Sequence, residues 1–348
     1  MQKTFFLLFI ISLKLFSQNL PQNYQVKYPE IPQEVFFCGE RVPINQFDIL
    51  ERFEKEMIVN TYWHSKTLLT YKRSKKYFSA IEQILRQNNM PDDLKYLVVA
   101  ESGLENLTSP AGAKGFWQFM EKTAQQYNLE ISKEIDERYN LEKSSQAACE
   151  YLQKLYNMFN NWTLAAAAYN MGENALKRNI KKQKVNNYYD LKLNNETSRY
   201  IFRIVSYKTI YENPENYGFK IKEHDFPKNI ETYNITVKES IENLAEYALD
   251  LGVNYKIIKN FNPWILKNNL IINPGQSYNL TIPKKKHIII NSEINYDTIF
   301  YKIERKDDIH QIARKFNIDV SQLLYWNNMF PNDKLKKGKQ LLILQYDE

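Results

Sequence analysis

The stretch LVVAESGLENLTSPAGAKGFWQFM, residues 97–120, decides how the rest of the chain reads. Just before it, Pro91-Asp92-Asp93 looks like a helix start, with an acidic N-cap region followed by Leu94, Leu97 and Val98. Those three positions share one helix face, and the next member of that face, seven residues on from Leu94, is Glu101. Gly103 then ends the helix, as a residue free to take positive φ does. A carboxylate therefore lands on the apolar face at a helix end. An exposed glutamate, with a pKa of about 4.3, is charged at neutral pH, whereas a desolvated one keeps its proton longer. Position alone leaves a second reading open, in which Glu101 snorkels outward or caps a loop amide beyond Gly103.

Outward from that segment, helical signals dominate from about residue 46 to 212. FDILERFEKEMIV, YFSAIEQILRQNN, EKTAQQYNL, SSQAACEYLQKLYNMF, WTLAAAAYN and ETSRYIFRIVSYKTIY each space apolar residues three or four apart, with Gly, Asn or Pro between runs. Residues 18–45 are proline-rich and aperiodic, which predicts an extended N-terminal arm, and NPENYGF punctuates the end of the helical body. Two loose repeats of about 50 residues follow. The second runs through Phe300, Tyr301 and Ile303, a helix spaced by Ile309, Ile312, Ala313 and Phe316, and a short helix carrying Val320, Leu323 and Leu324. Asn327 and Asn328 stop that helix, and a Gly338 turn leads into a strand, LLIL. The first copy has the same landmarks: Tyr233-Ile235-Val237, Ile241, Leu244 and Ala245, Asn262-Pro263, Pro274-Gly275, and Leu280 with Ile282. The order strand, helix, helix, strand suits a small two-layer unit of this length. Expected boundaries are therefore 1–17, 18–45, 46–215, 216–285, 286–296 and 297–346.

With 43% hydrophobic and 14% aromatic residues in 348, the chain can build real cores, and nine glycines and twelve prolines exclude a collagen-like or wholly disordered protein. Residues 1–17, MQKTFFLLFIISLKLFS, have a basic start, a short apolar run and a small residue before Gln18, the pattern of a secretory signal peptide. No cysteine follows that run, so no lipoprotein anchor site is offered, and no transmembrane segment is expected in the mature chain. The expected location is the periplasm or cell envelope. The formal charge of +7 includes Lys3 and Lys14 of the leader; the remaining Lys and Arg are spread along the chain, which argues against a nucleic-acid binder. The four histidines, His64, His224, His287 and His310, are scattered, so neither a metal site nor a cofactor is expected. In an exported protein Cys38 and Cys149 can form a disulfide; the other reading is that Cys149 is a small core residue, and spacing does not decide between them.

Glu101-Ser102, Gly115-Phe116-Trp117-Gln118 and Ala168-Tyr169-Asn170-Met171-Gly172 resemble three successive motifs of the lytic transglycosylases related to soluble transglycosylase and goose-type lysozyme. The resemblance covers residues 50–212. Ser109-Pro110-Ala111-Gly112-Ala113, GFWQFM and Glu196-Thr197-Ser198-Arg199-Tyr200 give it the flavour of the membrane-bound lytic transglycosylase D type. The two C-terminal repeats resemble LysM modules, which bind N-acetylglucosamine-containing glycans, although the usual Gly-Asp-Thr turn reads Lys306-Asp307-Asp308 here. The first copy is the more divergent. The implied fold is a mainly α lysozyme-like catalytic domain followed by small α+β (βααβ) LysM-like modules.

The resemblance implies a peptidoglycan lytic transglycosylase, a carbon–oxygen lyase that cleaves MurNAc–GlcNAc β-1,4 linkages and leaves 1,6-anhydroMurNAc ends. Glu101 is its implied single acid/base. Ser102 and Gln118 are expected to hydrogen-bond substrate, Tyr169 to orient or polarise Glu101, Asn170 to contact an N-acetyl or hydroxyl group, and Glu196 and Tyr200 to support the far side of the cleft. Peptidoglycan glycan strands are the expected partner. Two alternatives are a lysozyme-type hydrolase, which needs a second acid that neither Glu105 nor Glu121 evidently supplies, and a non-catalytic wall-binding protein. Trp117 and Trp162 are expected in the core rather than as sugar platforms.

Overall fold

The computed structural model describes residues 26–227, 230–284, 296–327, 329 and 333–346; the segment read as a signal peptide, most of the expected linker and Asn328 lie outside them. The helical body contains α1 (Phe47–Tyr62), α2 (His64–Gln87), α3 (Lys95–Ser102), α4 (Glu121–Gln126), α5 (Leu141–Phe159), α6 (Trp162–Met171), α7 (Glu173–Gln183) and α8 (Asn195–Glu212). Its middle is held by α6. Thr163 through Ala168 are buried all round, which is what a helix of small apolar residues permits: α5 and α8 both pack closely against it. α3 lies between α2 and α8, with Leu94, Leu97 and Val98 fully buried on the face read from the sequence. A single turn of tighter helix, Asp92–Leu94, leads into α3, and Gly103 closes it in the left-handed conformation at φ 61°. Asp93 does not cap the helix. Its carboxylate instead accepts from the Cys38 N–H at 2.7 Å and from Lys208 of α8 at 2.7 Å.

The arm before α1 is not simply extended. Strands β1 (Val35–Phe37) and β2 (Glu40–Val42) form a hairpin that buries Val35, Phe37 and Val42 in the main core. Strands of three residues are too short to show a period, so no alternation of residue types announces them. The Glu40 carboxylate reaches the start of α6, accepting from the N–H groups of Trp162 at 2.5 Å and Thr163 at 2.9 Å and from the Thr163 hydroxyl at 2.7 Å. Both cysteines are free thiols. Cys38 occupies the hairpin turn at φ 51° and Cys149 is buried on the core face of α5, so each is already committed to local structure and no bridge forms.

Both C-terminal repeats have the expected order of elements. The first comprises β3 (Thr232–Val237), α9 (Leu244–Asp250), α10 (Tyr255–Phe261) and β4 (Tyr278–Pro283); the second comprises β5 (Tyr296–Lys302), α11 (Ile309–Lys315), α12 (Val320–Trp326) and β6 (Gln340–Tyr346). β3 pairs with β4, and β5 pairs antiparallel with β6 over the register Tyr296↔Tyr346 to Lys302↔Gln340. One device recurs in both copies. Asn262 donates to Ile258 O and Thr281 O and accepts from Thr281 N, while Asn327 donates to Leu323 O and Leu342 O and accepts from Leu342 N. A side-chain amide after the second helix thus stands in for a strand, which explains why asparagine marks that position twice. The described residues form two compact units, one holding the helical body with residues 234–281 and the other residues 230–233 and those from 282 onward. Among the described residues no helix is long and apolar enough to cross a membrane.

Candidate active site

Glu101 sits in the last turn of α3, and its Oε1 accepts a short hydrogen bond from the Tyr200 hydroxyl of α8. α8 is positioned by Asn194, whose side chain accepts from Thr197 N at 2.8 Å, and its Glu196, Tyr200 and Arg203 recur at helical spacing along one face. That face sets the electrostatics of Glu101. Burial pushes the carboxyl up; the Tyr200 bond opposes this, the Glu196 charge adds to it, and the Arg203 charge opposes it. The net result is a carboxyl raised to about 7, an acid that still carries its proton near neutrality. Arg203 is in turn held by Glu56, a carboxylate 1% exposed on α1 that also pairs with Arg199 at 2.5 Å.

Tyr169 lies at the end of α6. Its hydroxyl donates to the Trp117 carbonyl at 2.8 Å rather than to Glu101, and burial and the Glu101 charge push that hydroxyl well above the usual tyrosine range. The direct partner of Glu101 is therefore Tyr200, not Tyr169. Asn170 joins α6 to α8: its Oδ1 accepts from Thr197 at 2.8 Å and its Nδ2 stands 3.5 Å from Glu196. Glu196 is exposed, yet close enough to act on Glu101.

Gln118 belongs to a tight turn in which Lys114 and Phe119 exchange backbone hydrogen bonds at 3.1 Å. Its amide folds back onto Gly115 O at 2.9 Å and Leu107 O at 3.2 Å. The turn needs glycine at 115: φ is +80°, and a Cβ there would lie 1.8 Å from the Arg138 carbonyl. Trp117 is fully buried, donating to Ser145 at 2.8 Å, and Trp162 stacks on Tyr156 with centroids 4.3 Å apart. Ser102 turns inward. It is buried and its hydroxyl donates to Val98 O at 3.2 Å, the i−4 back-bond that serine makes inside helices, so the structure does not place it with the groups around Glu101. Glu105 is paired with Arg73 at 2.5 Å, and Glu121 is exposed at the start of α4.

Sequence reasoning missed Glu56, Arg203 and Arg138. The first was findable: Ile49, Phe53, Met57 and Glu56 recur on one face of α1, the same signal that singled out Glu101. Arg203, three residues beyond Tyr200, shows itself only once α8 is seen to face α3.

Residues 78–192 match the transglycosylase SLT domain, residues 233–286 the soluble lytic transglycosylase C-terminal LysM-like domain, and residues 301–343 the LysM domain. Within the helical body, residues 78–192 form a transglycosylase SLT domain, followed by two domains of the LysM type. The chain as a whole is homologous to membrane-bound lytic murein transglycosylase D of Escherichia coli, with 26% identity over 318 residues, covering 85% of this chain and 68% of that protein. Among solved structures, similarity extends to an inactive mutant of the lytic transglycosylase Slt from Pseudomonas aeruginosa (17% identity, 43% of this chain and 26% of that one, TM-score 0.31). It also extends to the 70 kDa soluble lytic transglycosylase of Escherichia coli (19% identity, 44% and 27%, TM-score 0.33).

Proposed function

We propose that this protein is a peptidoglycan lytic transglycosylase of the cell envelope, with Glu101 as its single acid/base. The observation that carries the reading is a carboxyl held at about 7 by burial at the end of an apolar helix, with one hydroxyl, Tyr200, fixed on its oxygen. In the first half of the reaction, protonated Glu101 gives its proton to the bridging oxygen between MurNAc and GlcNAc, and the C1–O bond breaks. In the second, the carboxylate takes the proton of the MurNAc C6 hydroxyl as O6 bonds to C1. The glutamic acid is restored, no water is consumed, and the product ends in a 1,6-anhydro ring. Internal attack gains from a nucleophile already held in the bound sugar. Tyr200 fixes the carboxyl's orientation, and Gln118 and Asn170 contact the glycan by exchanging their internal partners for the sugar's polar groups. The second LysM domain, residues 301–343, holds the enzyme on glycan strands.

Digestion of purified sacculi tests this. Mass spectrometry is expected to find muropeptides lighter by one water than hydrolytic products. The second reading, a lysozyme-type hydrolase, draws on Glu196, a second carboxylate within electrostatic reach of Glu101. Reducing-end products that vanish in Glu196→Gln would establish it instead.

A further inference from the structure

The first LysM-like module is docked on the helical body through residues that have no counterpart in the second. Ile265 and Ile135 face each other as an antiparallel bridge, with Asp136 N–H donating to Trp264 O at 2.9 Å and Leu266 N–H to Glu134 O at 2.7 Å. The Tyr278 hydroxyl donates to the Glu130 carboxylate at 2.8 Å, and the Lys143 ammonium lies 5.9 Å from the Tyr278 ring centre. Trp264, Ile265 and Tyr278 are all buried. Aligning the two copies on the shared asparagine device places Met329 where the first has Trp264, and an exposed Lys339 where it has Tyr278.

The docked loop continues directly under the Gln118 turn. Asp136, 1% exposed, takes two bonds from Arg138 at 2.8 and 2.7 Å and one from Lys114 at 3.2 Å. Arg138, 2% exposed, then reaches the carbonyls of Gly112 at 3.4 Å and Phe119 at 3.3 Å, one on each side of the turn, while its own carbonyl lies against Gly115. A buried ion pair is worth keeping only when its remaining donors are satisfied, and here the turn's carbonyls help satisfy them. An unbroken run of contacts therefore connects the module to Gln118.

We infer that the first LysM-like module is a brace for the Gln118 turn, and that Trp264, Ile265 and Tyr278 are positioning residues for the reaction rather than a wall-binding face. The inference rests on the transglycosylase reading of Glu101 and Gln118.

The test uses the full chain carrying Leu266→Pro and Tyr278→Phe, which removes one backbone bond and one side-chain bond of the docking. The expected result is a kcat on soluble glycan fragments lower by about 10-fold, the size that coupling through such networks reaches. Amide exchange at residues 112–119 should quicken while α5 stays protected, and sacculus pull-down, measured in a Glu101→Gln background, should be unchanged. Adding Ile135→Cys with Ile265→Cys, a facing pair suited to a disulfide, should restore kcat and protection on oxidation and lose both on reduction. Tyr278→Phe alone should move kcat and exchange the same way by less, which separates loss of bracing from a misfolded module. Unchanged kcat and unchanged protection of 112–119 would overturn the inference, as would lost sacculus binding with kcat retained. If the wild-type chain itself gives no turnover, the proposed function fails, and the exchange measurement still decides whether the module braces the turn.

Discussion

A proton held near neutrality at Glu101 has consequences for rate and for stability. The first step needs the acid form, so activity is expected to fall as pH rises through about 7. The neighbours set where that limb lies. Tyr200 lowers the carboxyl and Glu196 raises it, so Tyr200→Phe should move the limb to higher pH and Glu196→Gln to lower pH, read from kcat/KM profiles. The same raised value means that folding favours the protonated form. Its contribution to stability is present below about 4.5 and is lost as pH rises through about 7. Glu101→Gln should therefore abolish turnover yet be more stable than the wild type at pH 8, by about 1–3 kcal/mol and so with a higher melting temperature, with no gain at pH 4. A thermal scan at the two pH values checks this; equal melting at both would mean that Glu101 is not desolvated.

Among elements, the turn from Gly112 to Phe119 is the least forgiving. Gly115→Ala sets a methyl against the Arg138 carbonyl and a side chain at φ +80°. The expected cost is at least about 3 kcal/mol by urea unfolding, with activity lost as well. This element also shows what could be read in the sequence and what could not. The helix of Glu101, its glycine stop and its apolar face were legible because periodicity reports burial directly. So were α5, α6 and α8, and the asparagine, glycine and strand landmarks of both repeats. The direction of a side chain was not legible. Ser102 follows Glu101 but turns into the core, and Tyr169 lies in a motif yet bonds to Trp117, because each outcome depends on which helix packs opposite. α7 is a helix with Leu176 as its one fully buried side chain, so it offered little periodicity to read.

Over the molecule as a whole, distant segments hold one another. Glu40 caps α6 from far along the chain, supplying a carboxylate to a helix N-terminus. Glu40→Ala is expected to cost about 1–2 kcal/mol, as measured by chemical denaturation, without changing the product formed. The second LysM domain belongs to the other compact unit. Deleting residues 297–348 should weaken sacculus binding more than it slows cleavage of short soluble glycans, judged by pull-down and turnover on the same preparations.

The hairpin near the N-terminus also sets an order of events. Phe36 O accepts from Lys208 and Glu30 O from the Tyr217 hydroxyl, so these early residues wait for partners more than 170 positions downstream. In chain order the segment precedes its α8 partner by nearly the whole helical body. Contacts so far apart in sequence slow folding. Refolding should accordingly include a slow phase in which the hairpin gains its α8 contacts, read by pulsed amide exchange at residues 35–42.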